Sequence, residues 1–223
     1  MTFYNILKKY RTYSVANISI NNINYDKKFI FIHIPKTAGT SLRVALNMLP
    51  FDHFTAQYFH DNYNFEFKRF IKFAFVRNPL SRFISLYNYV RMEESYYHSS
   101  KYPNTSMAGK HPFYETCHQM SVEQFIEYLV DPSNAFIFRN SQFLPQSNWF
   151  SLNGEIGTEF YDFVGKYENI LEDTKLLSKL INVNIQLPYL NQSIKKFEKS
   201  QLSINSQALL QDYYAKDYEL FKY

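Results

Sequence analysis

The sequence predicts an α/β fold of three layers, in which helices flank a short, mostly parallel central sheet. Residues 29–34 and 71–76 are short apolar runs rich in β-branched and aromatic side chains, as buried strands are. A turn and a helical pattern follow each run. Such repetition of strand, turn and helix is typical of parallel sheets that are covered by helices.

The composition is that of one globular domain, residues 1–223. Of the 223 residues, 46% are hydrophobic and 20% charged, which excludes a disordered chain. The single cysteine, Cys117, excludes an intrachain disulfide and a zinc site built from cysteines alone. The net charge of +4 suits a protein that handles anions, but it is too small to indicate nucleic acid as a partner.

No segment has the length and hydrophobicity of a transmembrane span, and residues 1–15 lack the apolar stretch and cleavage site of a secretory signal. We therefore expect a cytoplasmic protein without a transmembrane segment. The sequence does not indicate an oligomeric state.

The other elements follow in order along the chain. After the strand at 29–34 and a turn at 35–40, we expect a helix at 41–48 and a short strand at 51–56. The strand at 71–76 leads into a helix at 79–91, with Asn78 as its N-cap and Pro79 in its first turn. Residues 92–120 predict an irregular, mobile loop. The elements predicted after it are helices at 122–130 and 135–143, a strand at 160–164, and helices at 168–181 and 203–220.

The most informative segment is 31–42, FIHIPKTAGTSL, where the first strand enters a turn that opens a helix. Free N–H groups of the turn and the helix start favour an anion, Lys36 adds a positive charge, and neighbouring hydroxyls add donors. Gly39 is the only glycine among the first hundred residues, and glycine allows a backbone to approach a ligand closely. The segment therefore predicts a phosphate cradle.

This cradle differs from that of nucleoside triphosphatases. Their motif, G-x-x-x-x-G-K-[ST], places the lysine late and directly before the metal-binding hydroxyl. Here Lys36 precedes Ser41 by five residues. The second strand ends in Arg77, where a triphosphatase usually carries an aspartate that helps to bind Mg²⁺. We therefore expect phosphate binding without a metal.

Arg77 marks a second anion site, because parallel α/β sheets bind ligands at the carboxyl edge of their strands. Ser85 lies two turns into the next helix, on the face of Ser81. Arg77 and Ser85 can converge on one phosphate, which an arginine binds with two N–H groups. The alternative is an Arg77 that pairs with an acidic residue and a Ser85 without a special role. Two anion sites indicate a ligand phosphorylated at two positions.

The segments 31–42 and 77–87 (RNPLSRFISLY) resemble the donor-binding motifs of sulfotransferases that use 3′-phosphoadenylyl sulfate (PAPS). The resemblance is strongest to family 2 carbohydrate sulfotransferases, such as heparan sulfate 2-O-sulfotransferase and its bacterial relatives. Looser matches are FVGKYEN at 163–169, LPYLNQS at 187–193 and DYELF at 217–221. The resemblance implies a P-loop-like sulfotransferase fold and sulfuryl transfer from PAPS to a hydroxyl, on a carbohydrate or glycoconjugate. Residues 92–160 match little, and we expect acceptor recognition there.

The resemblance also implies residue roles. The first motif would bind the 5′-phosphosulfate and the second the 3′-phosphate, and Lys36 would stabilise the bridging oxygen as it leaves. No metal takes part. Arg82 is either structural or close to the ligand, and Gln142 and Gln146 are expected near the acceptor. The residues expected to contact the donor are Lys36, Thr37, Ala38, Gly39, Thr40, Ser41, Leu42, Arg77 and Ser85.

A general base must remove the proton of the acceptor, and histidine has a suitable pKa. His53 is the preferred candidate, because a strand at 51–56 would bring it to the same sheet edge and because DHFT resembles the family's His-x-Ser/Thr element. His60 is the second candidate. His33, in the first strand, is interpreted as structural. Two other functions stay open: a P-loop-type kinase or nucleotidase, and a non-catalytic nucleotide-binding module.

Overall fold

A computed structural model describes residues 20–50, 52–93, 110–139, 141–188 and 197–223. The strands are β1 Ile23–Asn24, β2 Phe29–Phe31, β3 Ile71–Val76, β4 Ser151–Leu152, β5 Glu155–Ile156 and β6 Phe163–Lys166. Four of them form the central sheet, in the order β1–β2–β3–β6, and β4 and β5 form a separate hairpin. The pairs β2–β3 and β3–β6 are parallel, whereas β1 is antiparallel to β2. The predicted short, mostly parallel sheet is confirmed.

Helices make up most of the remaining structure. The α-helices are α1 Gly39–Ala45, α2 Ala56–Asn62, α3 Asn64–Arg69, α4 Pro79–Val90, α5 Tyr114–Gln119, α6 Val122–Val130, α7 Ala135–Phe138, α8 Ile170–Leu180, α9 Ile204–Tyr213 and α10 Ala215–Phe221. Short 3₁₀ turns include Gln146–Phe150 and Tyr167–Asn169. Within the described ranges, no helix is long and apolar enough to cross a membrane.

Side chains along the central strands alternate between two buried cores, as the two-residue period of a strand requires. One face packs against α1 and α8, through Phe29, Phe31, Phe73, Phe75, Leu42, Leu46 and Leu177. The other face packs against α2, α3, the turn Gln146–Phe150 and α10, through Ile30, Ala74, Val76, Phe59, Phe67, Phe150 and Phe221. A third core joins α4 to α5, α6, α7 and α9. The predicted layers, helices on both faces of a sheet, are therefore present.

The second strand and its helix are confirmed almost residue by residue. The β3 strand covers 71–76, and α4 begins at Pro79 and ends at Val90. The side chain of Asn78 accepts the N–H of Ser81 at 3.1 Å, which makes Asn78 the predicted N-cap. This local agreement fixes where Arg77 lies, between the strand and the helix.

The predicted strand at 51–56 is wrong in its described part. Residues 52–55 are irregular, and Thr55 begins α2 by accepting the N–H of Tyr58 at 3.3 Å. The edge of β2 that this segment needed is paired with β1. Residue 51 lies outside the described residues.

Several predicted boundaries also move. The first helix begins at Gly39, two residues early, and the strand at 160–164 is found at 163–166. The irregular loop at 92–120 is wrong at 114–119, which form α5, while residues 94–109 lie outside the described residues. The helix at 135–143 stops at Phe138. The C-terminal helical segment divides into α9 and α10 at Tyr214, whose buried hydroxyl donates to the Phe143 carbonyl at 2.8 Å.

Candidate active site at the carboxyl edge of the sheet

The turn after β2 has an unusual backbone. Lys36 and Ala38 adopt φ angles of 70° and 69°, in the left-handed region that costs a residue with a side chain free energy. Between them, buried Thr37 donates its hydroxyl to the Ile34 carbonyl at 2.9 Å. This bond holds the turn in its strained form, so the Thr37 hydroxyl supports the cradle from inside.

The start of α1 leaves donors free, as any helix start does. The N–H groups of Gly39, Thr40 and Ser41 have no acceptor within the described part of the chain, and the first helical bond runs from the Leu42 N–H to the Ala38 carbonyl at 3.1 Å. The Leu42 side chain packs in the core beneath α1. Thr40 is exposed, and Ser41 is half-buried.

Gly39 lies directly against the ring of His33. A Cβ on Gly39 would lie 1.7 Å from His33 Nε2, a separation that no pair of non-bonded atoms tolerates. The His33 ring also packs against the ring of His53, with 4.3 Å between the centroids. His33 thus fills the space beneath the turn, in agreement with its interpretation as a structural residue.

The parallel register brings the two predicted anion sites together. Because Phe31 pairs with Phe73, the segments that follow β2 and β3 leave the sheet side by side. A terminal nitrogen of Arg77 donates to the Lys36 carbonyl at 3.4 Å. Ser85 lies half-buried on α4, the helix that begins two residues after Arg77.

The backbone of Arg77 is held by a buried amide. The Gln146 side chain accepts the Arg77 N–H at 2.9 Å and donates to its carbonyl at 2.8 Å. The Asp217 carboxylate, which is fully buried, accepts the N–H groups of Gln146 and Ser147 at 2.7 and 2.8 Å. Gln146, expected near the acceptor, is therefore a support of the second motif.

Arg82 has a structural role. Its guanidinium is buried and donates to the carbonyls of Gln142 and Leu144, the first at 3.1 Å. These bonds tie the chain after α7 to α4, so the helix predicted at 135–143 cannot continue. Of the two alternatives for Arg82, the structure favours the structural one.

Lys36 is placed to act as a cation in a partly buried site. Its Nζ lies 4.1 Å from the centroid of the Tyr89 ring. Burial lowers the pKa of Lys36 to about 8, and the positive charge of Arg77 adds to this effect. Lys36 therefore carries its charge at neutral pH and loses it in mildly alkaline solution.

His53 is oriented as a base. Its Nδ1 lies 3.0 Å from the carbonyl oxygen of His33, and since a carbonyl only accepts, Nδ1 carries the proton and Nε2 keeps a lone pair. Burial lowers the pKa of His53, and Lys36 lowers it further, against the opposing effects of the His33 carbonyl and Asp52. Trp149 Nε1 donates to the His53 carbonyl at 2.9 Å. The ring is therefore neutral at pH 7.

His60 lies in different surroundings. Its Nδ1 is 3.0 Å from the Asp61 carboxylate, and its ring contacts Phe67 with 5.8 Å between centroids. His53, by contrast, packs against His33, which precedes the turn that carries Lys36. No group of three or more His, Cys, Asp or Glu side chains in the described ranges is arranged to hold a metal ion.

Sequence reasoning missed three side chains of this site. Tyr89 lies four residues after Ser85 on α4. This spacing places both on one helix face, so the position of Tyr89 near the site could have been predicted. Tyr167 directly follows β6, so its position at the sheet edge was also accessible. Asp217 lies in the DYELF match, but the sequence did not indicate its contacts with Gln146 and Ser147, because these partners are 71 and 70 residues away.

Residues 21–223 match the family described as the sulfotransferase family. The chain belongs to the sulfotransferase family. It is 30% identical over 176 residues to carbohydrate sulfotransferase 12 of Xenopus laevis, a match that covers 70% of this chain and 40% of the relative. It is 24% identical over 239 residues to carbohydrate sulfotransferase 11 of Rattus norvegicus, which covers 90% of this chain and 66% of the relative. The chain therefore matches 40 to 66% of the length of these relatives. The predicted resemblance to carbohydrate sulfotransferases is confirmed.

Proposed function

We propose that this protein transfers a sulfuryl group from PAPS to a hydroxyl of a carbohydrate. The observation that carries the proposal is that two cationic residues, Lys36 and Arg77, lie next to each other at one sheet edge. The Arg77 guanidinium donates to the backbone carbonyl of Lys36 at 3.4 Å. Two cations and a row of free N–H groups suit a donor that is phosphorylated at two positions. The names of the relatives support a carbohydrate acceptor.

In this proposal the turn binds the 5′-phosphosulfate and Arg77, with Ser85, binds the 3′-phosphate. Nε2 of His53 takes the proton of the acceptor hydroxyl while the oxygen forms its bond to sulfur. The bond between sulfur and the bridging phosphate oxygen breaks, and Lys36 stabilises the charge that develops on that oxygen. The products are a sulfate ester and 3′,5′-bisphosphoadenosine. The scheme uses no metal, since Arg77 occupies the strand end where a metal-binding acid would be needed.

The neutral state of His53 supports its role. A base must be unprotonated before the reaction, and burial keeps the pKa of His53 below its ordinary value. Replacing His53 by asparagine should lower kcat by about 10²- to 10⁴-fold, the usual contribution of a general base. Binding of 3′,5′-bisphosphoadenosine should persist in this variant, which separates the chemical step from donor binding.

Thermal unfolding tests the donor site directly. At about a hundred times its Kd, 3′,5′-bisphosphoadenosine should stabilise the fold by about 2.7 kcal/mol, a rise in Tm of about 5–11 °C. Arg77→Ala should lose this rise, whereas Arg69→Ala, an exposed arginine that precedes β3, should keep it. If Tm rises with ATP and Mg²⁺ but not with 3′,5′-bisphosphoadenosine, the result would support the kinase alternative. The family assignment does not favour that alternative.

A further inference from the structure

Each of the two cations at the sheet edge lies on the face of a tyrosine. Lys36 Nζ is 4.1 Å from the centroid of the Tyr89 ring, and Arg77 Cζ is 4.1 Å from that of Tyr167. The two rings come from different elements, since Tyr89 lies near the end of α4 and Tyr167 directly follows β6. The two cation–ring pairs, Lys36 with Tyr89 and Arg77 with Tyr167, therefore use aromatic residues from separate parts of the sequence.

A ring holds a cation without neutralising it. The face of an aromatic ring attracts a positive charge through its quadrupole, most strongly where water is excluded. Among the described residues, neither Lys36 nor Arg77 has a carboxylate oxygen within 4.0 Å. Within the described part of the chain, an incoming phosphate therefore has no carboxylate to displace from either cation.

The sheet itself sets the pair formed by Arg77 and Tyr167. Val76 pairs with Lys166 in the parallel ladder, so the residues that follow them, 77 and 167, leave the two strands together. The next residue, Glu168, accepts the Asn78 N–H at 2.8 Å and fastens the two segments. The orientation of the guanidinium thus depends on a ring that the strand register places beneath it.

We propose that Tyr89 and Tyr167 are positioning residues that hold Lys36 and Arg77 in place for the two phosphate groups of the donor. Tyr89 serves the 5′ side and Tyr167 the 3′-phosphate. This inference rests on the proposed function and deepens it, because it assigns each end of the donor its own aromatic support.

Binding of adenosine 5′-phosphate and of 3′,5′-bisphosphoadenosine, measured by titration calorimetry, separates the two ends. Because Tyr167 is exposed, Tyr167→Leu should reduce the preference for the bisphosphate by about two- to five-fold and leave the affinity for adenosine 5′-phosphate nearly unchanged. Tyr89→Leu should weaken both ligands by a similar factor and keep the preference. The matched variants Tyr167→Phe and Tyr89→Phe retain the ring and should bind both ligands like the original protein.

The outcomes are distinguishable. If the original protein shows no preference for the bisphosphate, the proposed function fails. If it shows the preference and Tyr167→Leu keeps it, or weakens both ligands equally, only the inference on Tyr167 is overturned. In the Arg77→Met background, Tyr167→Leu should have no further effect on the preference. A further loss there would show that the ring acts on the ligand and not through Arg77. Unfolding without ligand verifies that each variant is folded.

Discussion

Replacing Gly39 by alanine tests how closely the turn is packed. The added methyl group would lie 1.7 Å from Nε2 and 1.9 Å from Cδ2 of His33, so the imidazole must move. The ring has little room, because it packs against the rings of Phe31 and His53, at 5.5 and 4.3 Å between centroids. Overpacking of this kind costs about 1–3 kcal/mol, against which alanine gains up to about 1 kcal/mol of helix propensity.

We therefore expect Gly39→Ala to lower the free energy of unfolding by about 1–2 kcal/mol, or Tm by about 2–8 °C. Urea unfolding can be followed by the fluorescence of Trp149, the only tryptophan, which is buried. Gly157→Ala is a matched control. The three atoms nearest to its added Cβ all belong to the carboxylate of Glu159, the flexible end of an exposed side chain.

A double-mutant cycle assigns the cost to the ring. In the His33→Ala background the clash is absent, so Gly39→Ala should cost at least about 1 kcal/mol less than in the original protein. An equal cost in both backgrounds would refute a clash with the ring, and so would a Gly39→Ala variant that unfolds at the same urea concentration as the original protein.

Three other predictions follow from the site. The kcat/KM for sulfuryl transfer should rise with pH below about pH 6.5, as His53 becomes neutral, and it should fall near pH 8, as Lys36 loses its proton. A pH profile of kcat/KM checks both changes. Asp217→Asn should destabilise the fold by about 1–3 kcal/mol, measured in urea, because two buried N–H groups lose their charged acceptor. Arg82→Met should lower Tm without ligand, whereas Arg77→Met should mainly remove the Tm gain from 3′,5′-bisphosphoadenosine. The opposite pattern would show that Arg82 binds the ligand and that Arg77 has the structural role.

The sequence was informative where structure is local. The strand at 71–76, its N-cap Asn78 and the helix after it depend on residues within a few positions of each other, and they were predicted closely. The same holds for the turn that carries Lys36. Because parallel strands end at one edge of a sheet, the sequence alone also predicts that Lys36 and Arg77 lie close together.

Long-range partners were beyond sequence reasoning. The segment at 51–56 has a strand-like pattern, but β1 pairs with the strand edge that it would need, and this competition is not visible in its residues. His53 still reaches the site, because its ring packs on His33 and its carbonyl accepts from Trp149, 96 residues away. His53 thus lies beside His33 although residues 52–55 form no strand.

The order in which the chain is synthesised determines when Arg77 can be fixed in place. Both anion motifs have been made once residue 90 has left the ribosome, yet the partners that fix Arg77 arrive much later: Gln146, then Tyr167, and last Asp217. A nascent chain therefore contains both anion motifs long before it contains the residues that hold Arg77 in place. Since domains fold as units during synthesis, the site for the second phosphate matures only when the last helix docks. Substitutions in that helix should delay the appearance of a binding-competent protein even where no residue of either motif has changed.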